Sequence, residues 1–255
     1  MKKLSFSAIL AAYIFMIFVF SCGAPSERLM VQPAAIGGAE PVGMETCASC
    51  HEDEVKNFKY TAHARVFIAE DDREILGCEA CHGAGSLHLE VGGGKGQFII
   101  NPKKDPEACY QCHLEIKAAF NLQYHHPVRE RRVNCTNCHD PHGEDIYKAK
   151  GMRMGRENEV CMQCHREQSS PRVFEHEAVR DGCTFCHRPH GSINDKMLVE
   201  NDNNLCLKCH AQIAMPGSVT IGDFSHTTRL AEGRCWSAGC HTAVHGSNIN
   251  PHLRY

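Results

Sequence analysis

The sequence predicts a mostly coil fold with short α-helices and little sheet, built as an elongated array of short units. The chain has 255 residues, of which 17 are cysteine and 18 are histidine, far above ordinary usage. From residue 46 onward the cysteines recur in one short motif at intervals of 22 to 31 residues, a spacing typical of repeat arrays. Hydrophobic residues make up only 42% of the chain, and the net charge of −3 argues against nucleic-acid binding. These observations predict a chain organised around bound groups rather than around a large core of its own side chains.

The N-terminal residues have the pattern of an export signal. Met1–Lys3 is cationic, and Ala8–Phe20 is an apolar run of 13 residues. That length suits the hydrophobic region of a signal peptide and is short for a membrane span, which needs about 20 residues. The run ends in Val19–Gly23, which resembles a bacterial lipobox, in which the cysteine is acylated. We therefore predict a lipoprotein signal peptide over residues 1–21 and lipidation of Cys22.

Two alternatives remain open at this terminus. Ordinary signal cleavage near Ala24, or an uncleaved anchor, would also account for the apolar run. Every version exports the rest of the chain. Residues 22–45 contain much Gly, Pro and Ala without a helical or strand period, so we predict a flexible tether there. One domain, which carries all the motifs, follows over residues 46–255.

Eight cysteine motifs, numbered 1 to 8 in chain order, follow one pattern. Seven are C-x-x-C-H, and the eighth has four residues between its two cysteines. Only Cys22 lies outside the set. The motifs are Cys47/Cys50/His51, Cys78/Cys81/His82, Cys109/Cys112/His113, Cys135/Cys138/His139, Cys161/Cys164/His165, Cys183/Cys186/His187, Cys206/Cys209/His210 and Cys235/Cys240/His241.

C-x-x-C-H is the attachment motif of c-type haem. The two thiols bond to the two vinyl groups of one porphyrin, and the adjacent histidine binds the iron as its proximal ligand. Zinc also uses C-x-x-C pairs, but its histidines normally lie several residues away. Disulfides suit an exported protein but require no histidine after each cysteine pair. The sequence therefore predicts eight covalently bound haem c groups, each with the histidine of its motif on the iron.

The remaining histidines are candidates for the opposite, distal side of each iron. Ten are left, and eight bis-histidine irons need eight of them. We leave out the near-terminal His252 and take one of the adjacent pair His125 and His126. The match of His125–Val128 to His176–Val179 favours His125. The predicted distal ligands are His63, His88, His125, His142, His176, His190, His226 and His245.

Two of these histidines predict links between neighbouring sites. His142 and His190 each follow a proximal histidine by only three residues. Such a short segment does not reach the far face of the same porphyrin, so each must serve a different haem. A six-coordinate iron has no place for a substrate, and histidine rather than methionine as second axial ligand predicts a low potential. We therefore predict an electron-transfer protein without catalytic residues rather than an enzyme.

The same motif count predicts the elements of the fold. Eight haems over residues 46–255 leave about 26 residues each, so the porphyrins supply most of the apolar interior. We expect short helical turns around the motifs, as in residues 107–120, and loops such as Val91–Gly96 between them. The fold class is a multihaem cytochrome c in which each unit contacts mainly its neighbours.

Several strings in this domain resemble a known family. They are CEACHGAGSLH (78–88), YHHPV (124–128), CTNCHDPHG (135–143), EHEAVRDGC (175–183), CHRPHGS (186–192) and CHTAVHGSN (240–248). They resemble the MtrA/DmsE family, the periplasmic decahaem cytochromes of outer-membrane porin–cytochrome complexes. The resemblance runs from about residue 46 to the C-terminus and implies the same distal histidines, with His125 or His126 at that position. This chain departs from the family in having eight motifs rather than ten, Ala84 where proline is common, and the widened motif 8.

The resemblance implies a function. In that family the cytochrome inserts into a β-barrel porin and passes electrons from a periplasmic donor cytochrome to an extracellular multihaem cytochrome, in support of extracellular metal reduction. We expect this chain on the periplasmic side of the outer membrane, held there by a lipid. One alternative is a periplasmic electron carrier or reductase subunit without a porin. Another is a multihaem oxidoreductase, which would need an open iron, often marked by C-x-x-C-K; that motif does not occur here.

Overall fold

The computed structural model describes residues 35–67, 77–143, 155–210, 212–222, 224–230 and 234–255. The predicted signal peptide, Cys22 and residues 22–34 of the predicted tether lie outside these ranges. All eight motifs and all ten other histidines lie within them.

The described residues form many short helices separated by turns and coil. None of the α-helices exceeds eight residues. They are α1 Met44–Ala48, α2 Glu52–Phe58, α3 Ala62–Phe67, α4 Glu79–His82, α5 Ser86–Glu90, α6 Glu107–Tyr110, α7 Leu114–Ala119, α8 Gly155–Met162, α9 Ala178–Asp181 and α10 Asp202–Cys206. Single 3₁₀ turns occupy Cys135–Asn137, Cys183–Phe185 and Asp195–Met197.

The motifs lie partly inside the helices and partly between them. The sequence predicts helical turns over residues 107–120, and these residues form α6, which contains Cys109, and α7, with Cys112 and His113 between the two helices. His51 and His113 are the N-cap residues of α2 and α7. A helix this short is unstable alone in water, so these turns depend on contacts elsewhere in the fold.

A single three-stranded antiparallel sheet follows motif 7. Its strands are β1 Gln212–Met215, β2 Ser218–Ile221 and β3 Phe224–Ser225, in that order across the sheet. Gln212 pairs with Ile221 and Met215 with Ser218, which leaves a two-residue turn at Pro216–Gly217. Gly217 has φ of 78°, a conformation that suits the third position of a type II turn after proline. Sheet content is therefore as low as predicted.

Side-chain packing alone supplies only a small core. The one buried hydrophobic cluster in the described ranges consists of Tyr110, Phe120 and Val128, with Ile116 and Val133 packed against it. A domain of this size normally has a far larger core. The short helices, the one small sheet and this small cluster confirm the predicted mostly coil architecture. The elongated shape remains a prediction.

Two long-range backbone bridges repeat one arrangement. Tyr124 exchanges both hydrogen bonds with Ser192 at 3.1 and 2.8 Å, and Phe174 exchanges both with Ser247 at 2.8 and 2.9 Å. Each serine closes a His-Gly-Ser string. Within the described ranges, no helix has both the length and the hydrophobicity that crossing a membrane requires.

Candidate haem-binding sites

All eight motifs adopt the same turn. The backbone N–H of each motif histidine donates to the carbonyl of the first cysteine, with N···O distances of 2.9–3.0 Å. In motif 8 the His241 N–H donates to the Cys235 carbonyl at 2.9 Å across the two extra residues. A local turn from Trp236 to Gly239, with φ of 79° at the glycine, takes up the insertion. The widened motif therefore presents its histidine as the others do.

The histidine rings form pairs that each join one motif histidine to one histidine outside the motifs. Seven such pairs occur among the described residues, with ring centroids 5.8–6.4 Å apart. The pairs are His113–His63, His82–His142, His165–His126, His139–His190, His210–His176, His187–His245 and His241–His226.

This separation fits two imidazoles bound to opposite sides of one metal. A metal–imidazole bond is about 2 Å long and the ring centroid lies about 1 Å behind the nitrogen, so the centroids should be about 6 Å apart. No pair found in the described ranges joins two motif histidines or two others, although chance contacts would mix the classes. The residues present therefore fit bis-histidine haem sites.

Hydrogen bonds orient many of these rings for ligation through Nε2. In each case Nδ1 lies 2.6–3.0 Å from a backbone carbonyl, which only accepts, so Nδ1 carries the proton and Nε2 keeps its lone pair. The bonds are His82 to Ile100, His88 to Gln97, His126 to Pro189, His176 to Val244, His187 to Lys196, His226 to Phe224 and His241 to His252.

The geometry favours His126 over the predicted His125 at the adjacent pair. The His126 ring centroid lies 6.0 Å from that of His165. The Nε2 of His125 instead lies 3.3 Å from the exposed carboxylate of Glu130. The predicted match of His125 to His176 was offset by one residue.

The bridges described above give the correct alignment. They make Tyr124 equivalent to Phe174, so His126 corresponds to His176, each two residues beyond its bridge. The Nδ1 atoms of these two histidines also contact equivalent carbonyls, those of Pro189 and Val244. An aromatic residue followed two positions later by histidine was the sequence signal that would have identified His126.

His51, His88 and His252 are the remaining histidines, and none of them is in a histidine ring pair among the described residues. Within the described ranges, His51 and His88 are not in ring contact with each other, although the Nδ1 of His88 is held by Gln97 at 2.8 Å. The His252 ring packs against Phe224 at 4.8 Å, and its carbonyl accepts from His241. This placement agrees with leaving His252 outside the ligand set.

Three motifs are each followed closely by a histidine whose ring lies beside the histidine of the motif two places earlier in the chain. His142 follows motif 4 and pairs with the histidine of motif 2. His190 follows motif 6 and pairs with that of motif 4. His245 follows motif 8 and pairs with that of motif 6. As expected for His142 and His190, these histidines lie beside a motif other than their own.

Burial keeps the imidazoles of His82, His190 and His245 in the neutral form that binds metal. Burial, and then the neighbouring His142 and His51, lower the pKa of His82 against the opposing bond to Ile100. Burial and the facing motif histidine likewise lower the pKa values of His190 and His245. A neutral imidazole needs no proton release before it ligates.

Consecutive motifs contact one another through their cysteines in alternation. The first cysteine of each odd-numbered motif lies beside the first cysteine of the even-numbered motif that follows it. In motifs 3 and 4, the hydrogen bond to Cys135 and then burial raise the pKa of Cys109. Burial and then the Cys235 thiol raise the pKa of Cys206 to about 12. These contacts join Cys47 to Cys78, Cys109 to Cys135, Cys161 to Cys183 and Cys206 to Cys235.

The second cysteines link each even motif to the next odd one. Burial raises the pKa of Cys81, and the neighbouring Cys112 raises it further. The same two causes act on the later pairs, Cys138 beside Cys164 and Cys186 beside Cys209. The eight motifs thus form one series in chain order, in which neighbours interact alternately through hydrogen-bonded first cysteines and through the electrostatic effect of nearby second cysteines.

Cys50 and Cys240, the second cysteines of motifs 1 and 8, depart from this alternation. The sequence predicts the same role for them as for the other motif cysteines, but neither meets a cysteine of another motif within the described ranges. Cys50 is exposed, and the Ser49 hydroxyl lies 3.8 Å from its sulfur. Cys240 is half-buried and interacts with Cys235 of its own motif. The reason is their place in the series: motifs 1 and 8 are its first and last members, so each has one neighbouring motif instead of two. Both stay predicted attachment points, at the two ends of the series.

The alternatives of zinc and disulfides find no support in this geometry. All sixteen motif cysteines are free thiols in the structure. The thiols of Cys206 and Cys235 lie within 4.8 Å of an Asp202 carboxylate oxygen, the one grouping of metal-ligand type found in the described ranges. However, the Asp202 oxygens already accept bonds from the N–H groups of Cys235, Trp236 and Ser237 and from the Ser237 hydroxyl, at 2.7–3.2 Å.

Two buried carboxylates stand out as residues that the sequence patterns did not indicate. Asp202 is 3% exposed and orders the widened motif through the four bonds above. Glu79 is 7% exposed and accepts from the N–H groups of Val42, Gly43 and Gly85 at 2.8–3.1 Å. No motif or period marks such a residue, because its partners are distant in the sequence.

Comparisons with known proteins agree with these sites. The sequence profile of the doubled CXXCH motif matches residues 125–170 and 176–215, and that of cytochrome c554 and c-prime matches residues 46–75. The chain is 30% identical over 206 residues to the multihaem cytochrome MtrA of Shewanella baltica, a match that covers 79% of this chain and 57% of MtrA.

More distant relatives are also c-type cytochromes. The chain is 23% identical over 258 residues to the polyhaem cytochrome OmcC of Geobacter sulfurreducens, covering 86% of this chain and 32% of OmcC. It is 24% identical over 134 residues to the cytochrome c-type protein NrfB of Escherichia coli, covering 45% of this chain and 71% of NrfB. The chain spans less than two thirds of the length of MtrA and of OmcC. From the motifs, the histidine pairs and these relatives, we conclude that the chain is a multihaem c-type cytochrome of the MtrA type.

Proposed function

We propose that this chain carries electrons along eight bis-histidine c-type haems that follow one another in chain order. The observation that supports it is the set of seven ring pairs, each between a motif histidine and a histidine from another part of the chain. Among the eight proposed distal histidines, only His88 is not in a ring pair within the described ranges, so we assign it by elimination to the site of His51. Bound haem c supplies an iron that cycles between its ferric and ferrous states without changing ligands.

The histidine pairs place the same constraint on seven of the eight proposed sites. An iron bound by both imidazoles of a pair would have no position open for a substrate. We therefore propose the sixteen motif cysteines as covalent attachment points, with Cys50 and Cys240 at the ends of the series. We also propose His126 in place of His125 as the distal ligand opposite His165. Oxidoreductase chemistry at an open iron would require one of these imidazoles to leave.

The alternating cysteine contacts support a continuous path. Each motif cysteine is the point at which the chain joins an edge of its porphyrin. Where two such cysteines meet, as Cys109 and Cys135 do, the chain brings two attachment edges together. Hydrogen bonds between first cysteines join four of the seven successive pairs of motifs, and the second cysteines of the other three pairs interact electrostatically.

We further propose that the path crosses the outer membrane within a porin–cytochrome complex. The match to MtrA and the family resemblance of the motif strings support this proposal. In this reading the chain is exported, lipidated at Cys22 and seated in a β-barrel porin. It takes electrons from a periplasmic cytochrome and delivers them to an extracellular multihaem cytochrome.

Mild detergent extraction followed by purification of the tagged chain tests this proposal. Mass spectrometry of the purified chain should show eight covalently added haems, and a β-barrel protein should co-purify with it. Fewer than eight haems would contradict the site assignment. Eight haems without a barrel would contradict the porin complex while leaving the electron-transfer chain intact.

A periplasmic carrier or reductase subunit without a porin is the second candidate. The observation that favours it is the match to NrfB, in which the shared 134 residues make up 71% of a shorter c-type cytochrome. Recovery of this chain as a water-soluble protein that reduces and reoxidises without a barrel partner would support this candidate.

A further inference from the structure

Two pairs of adjacent polar residues connect motif 5 to motif 6 and motif 7 to motif 8 in the same way. Each pair is an acidic residue four positions before the first cysteine of the odd motif, followed by an asparagine. We call Glu157–Asn158 and Asp202–Asn203 the two junction braces. Their asparagines are Asn158 and Asn203, and both lie in a helix that leads into a motif.

The asparagines hold the first cysteine of the next motif. The Asn158 Oδ1 accepts from the backbone N–H of Cys183 at 2.9 Å and from its thiol at 3.0 Å. The Asn203 Oδ1 accepts from the thiol of Cys235 at 3.3 Å, and it shares the backbone N–H of Cys235, at 3.2 Å, with the Asp202 carboxylate at 3.0 Å. The same atom in two copies of the repeat therefore makes the same two contacts.

The acidic members of the braces hold the residue that follows that cysteine. The Glu157 carboxylate accepts from the N–H of Thr184 at 2.8 Å, and the Asp202 carboxylate accepts from that of Trp236 at 3.2 Å. Asn158 is 7% exposed, and its Nδ2 also donates to the Val179 carbonyl at 3.1 Å. A buried amide that both donates and accepts in this way is a rigid support.

The other two junctions of this type lack the brace. At the position equivalent to Asn158, motif 1 has Met44 and motif 3 has Pro106. Asp105 stands at the acidic position of motif 3, but its carboxylate accepts from the N–H of Glu107 within its own turn. The braces are thus confined to the C-terminal half of the series.

Only part of each contact survives haem attachment. A cysteine sulfur bonded to a vinyl carbon has no hydrogen to donate, so the thiol contact to the asparagine ends. The backbone N–H bond to Oδ1 remains, because attachment does not involve the main chain. In the mature protein the asparagine therefore fixes the backbone of one attachment point relative to the helix of the preceding motif.

We propose that Asn158 and Asn203 are positioning residues that set the contact between sites 5 and 6 and between sites 7 and 8. This inference rests on the proposed electron-transfer function. The asparagines are not among the proposed ligands of the irons or the attachment residues. They act through the attachment cysteines Cys183 and Cys235, and so determine how closely and in which orientation neighbouring sites meet.

The test uses the full-length, haem-loaded protein with Asn158→Ala, Asn203→Ala and the matched control Asn204→Ala. Asn204 lies next to Asn203 in α10 and is exposed. Mass spectrometry counts the haems, Soret circular dichroism reports coupling between neighbouring chromophores, and a potentiometric titration reports the midpoint potentials. We expect a full haem count in all three variants. We also expect an altered Soret couplet and shifted potentials at two sites in each brace variant, with parent values in the control.

The two braces act at separate junctions, so their effects should add in the double variant. Parent spectra and potentials with a full haem count in both brace variants would overturn the proposal. Loss of haem from both would also overturn it, because the asparagines would then act during attachment rather than in positioning. Neither readout depends on a porin, so failure of the membrane-complex proposal would be seen separately.

Discussion

Replacing His126 with alanine tests the assignment of ligands most directly, because its neighbour His125 serves as an internal control. The His126 ring lies 6.0 Å from that of His165, whereas the Nε2 of His125 lies 3.3 Å from the exposed Glu130 carboxylate. Alanine at position 126 removes the sixth ligand from one iron of eight. We expect about one eighth of the iron to change from low spin to high spin, since a haem with one axial histidine is five-coordinate or binds water.

Electron paramagnetic resonance of the oxidised protein measures this fraction, and mass spectrometry checks that eight haems remain attached. His126→Ala should give the high-spin signal with a full haem count. His125→Ala should remain fully low spin, since it loses contacts with the Leu122 carbonyl and the exposed Glu130 carboxylate but no histidine ring pair. A high-spin signal in His125→Ala and none in His126→Ala would refute the assignment and restore the original prediction of His125.

Three further changes test other parts of the structure. His142→Ala should leave haem attached but make one iron high spin, that of His82, because the two rings are 5.8 Å apart and roughly parallel. Asp202→Ala should lower the free energy of unfolding in guanidinium by about 3 kcal/mol, because three backbone N–H groups lose a buried charged acceptor. Gly191→Ala should lower it by about 1–3 kcal/mol, because a Cβ at residue 191 would overlap the Ala119 carbonyl oxygen.

The changes at Asp202 and Gly191 each have a matched control. Asp181→Ala removes an exposed carboxylate at the end of α9 and should leave the unfolding transition unchanged. Gly37→Ala adds a Cβ where no atom lies within 4 Å and should also be neutral. Equal effects in a variant and its control would contradict the contact in question. An unchanged low-spin spectrum in His142→Ala would remove His142 from the ligand set.

Local sequence was sufficient to predict the motif turns. All eight histidines donate to the first cysteine of their own motif, including His241, whose motif is two residues longer than the rest. The residues involved lie within one turn of chain, so their spacing determines their geometry. The mostly coil character was predictable for a related reason: segments of about 26 residues per haem are too short for long helices or a large sheet.

The choice between His125 and His126 shows where sequence matching is weakest. Aligning two segments by similar letters favours His125, whereas the ring pair with His165 favours His126, one residue further on. The bridges Tyr124–Ser192 and Phe174–Ser247 corrected the alignment, because each joins residues more than 65 positions apart. The local signal is only an aromatic residue two positions before the histidine, and the bridges show that this is the relevant one.

The sequence also could not distinguish Cys50 and Cys240 from the other motif cysteines. Their motifs carry the same residue types as the rest, so the pattern predicts one role for all sixteen. Motif 1 meets its one neighbour through Cys47 and motif 8 meets its one neighbour through Cys235. Cys50 and Cys240 are therefore left without a cysteine of another motif beside them among the described residues. Only the packing of the motifs against one another contains that information.

The sequence by itself determined the chemistry of the sites: which sixteen cysteines are expected to attach haem, which histidine accompanies each pair, and that enough other histidines exist to complete every iron. The tertiary structure alone decided the partners of seven of the eight motif histidines, such as His142, the partner of His82 two motifs earlier. It also decided which cysteines of neighbouring motifs meet and which buried residues hold them, as Asn203 holds Cys235. The physical reason is that attachment depends on bonds within a few residues, whereas ligand pairing depends on how distant segments pack around groups larger than any side chain.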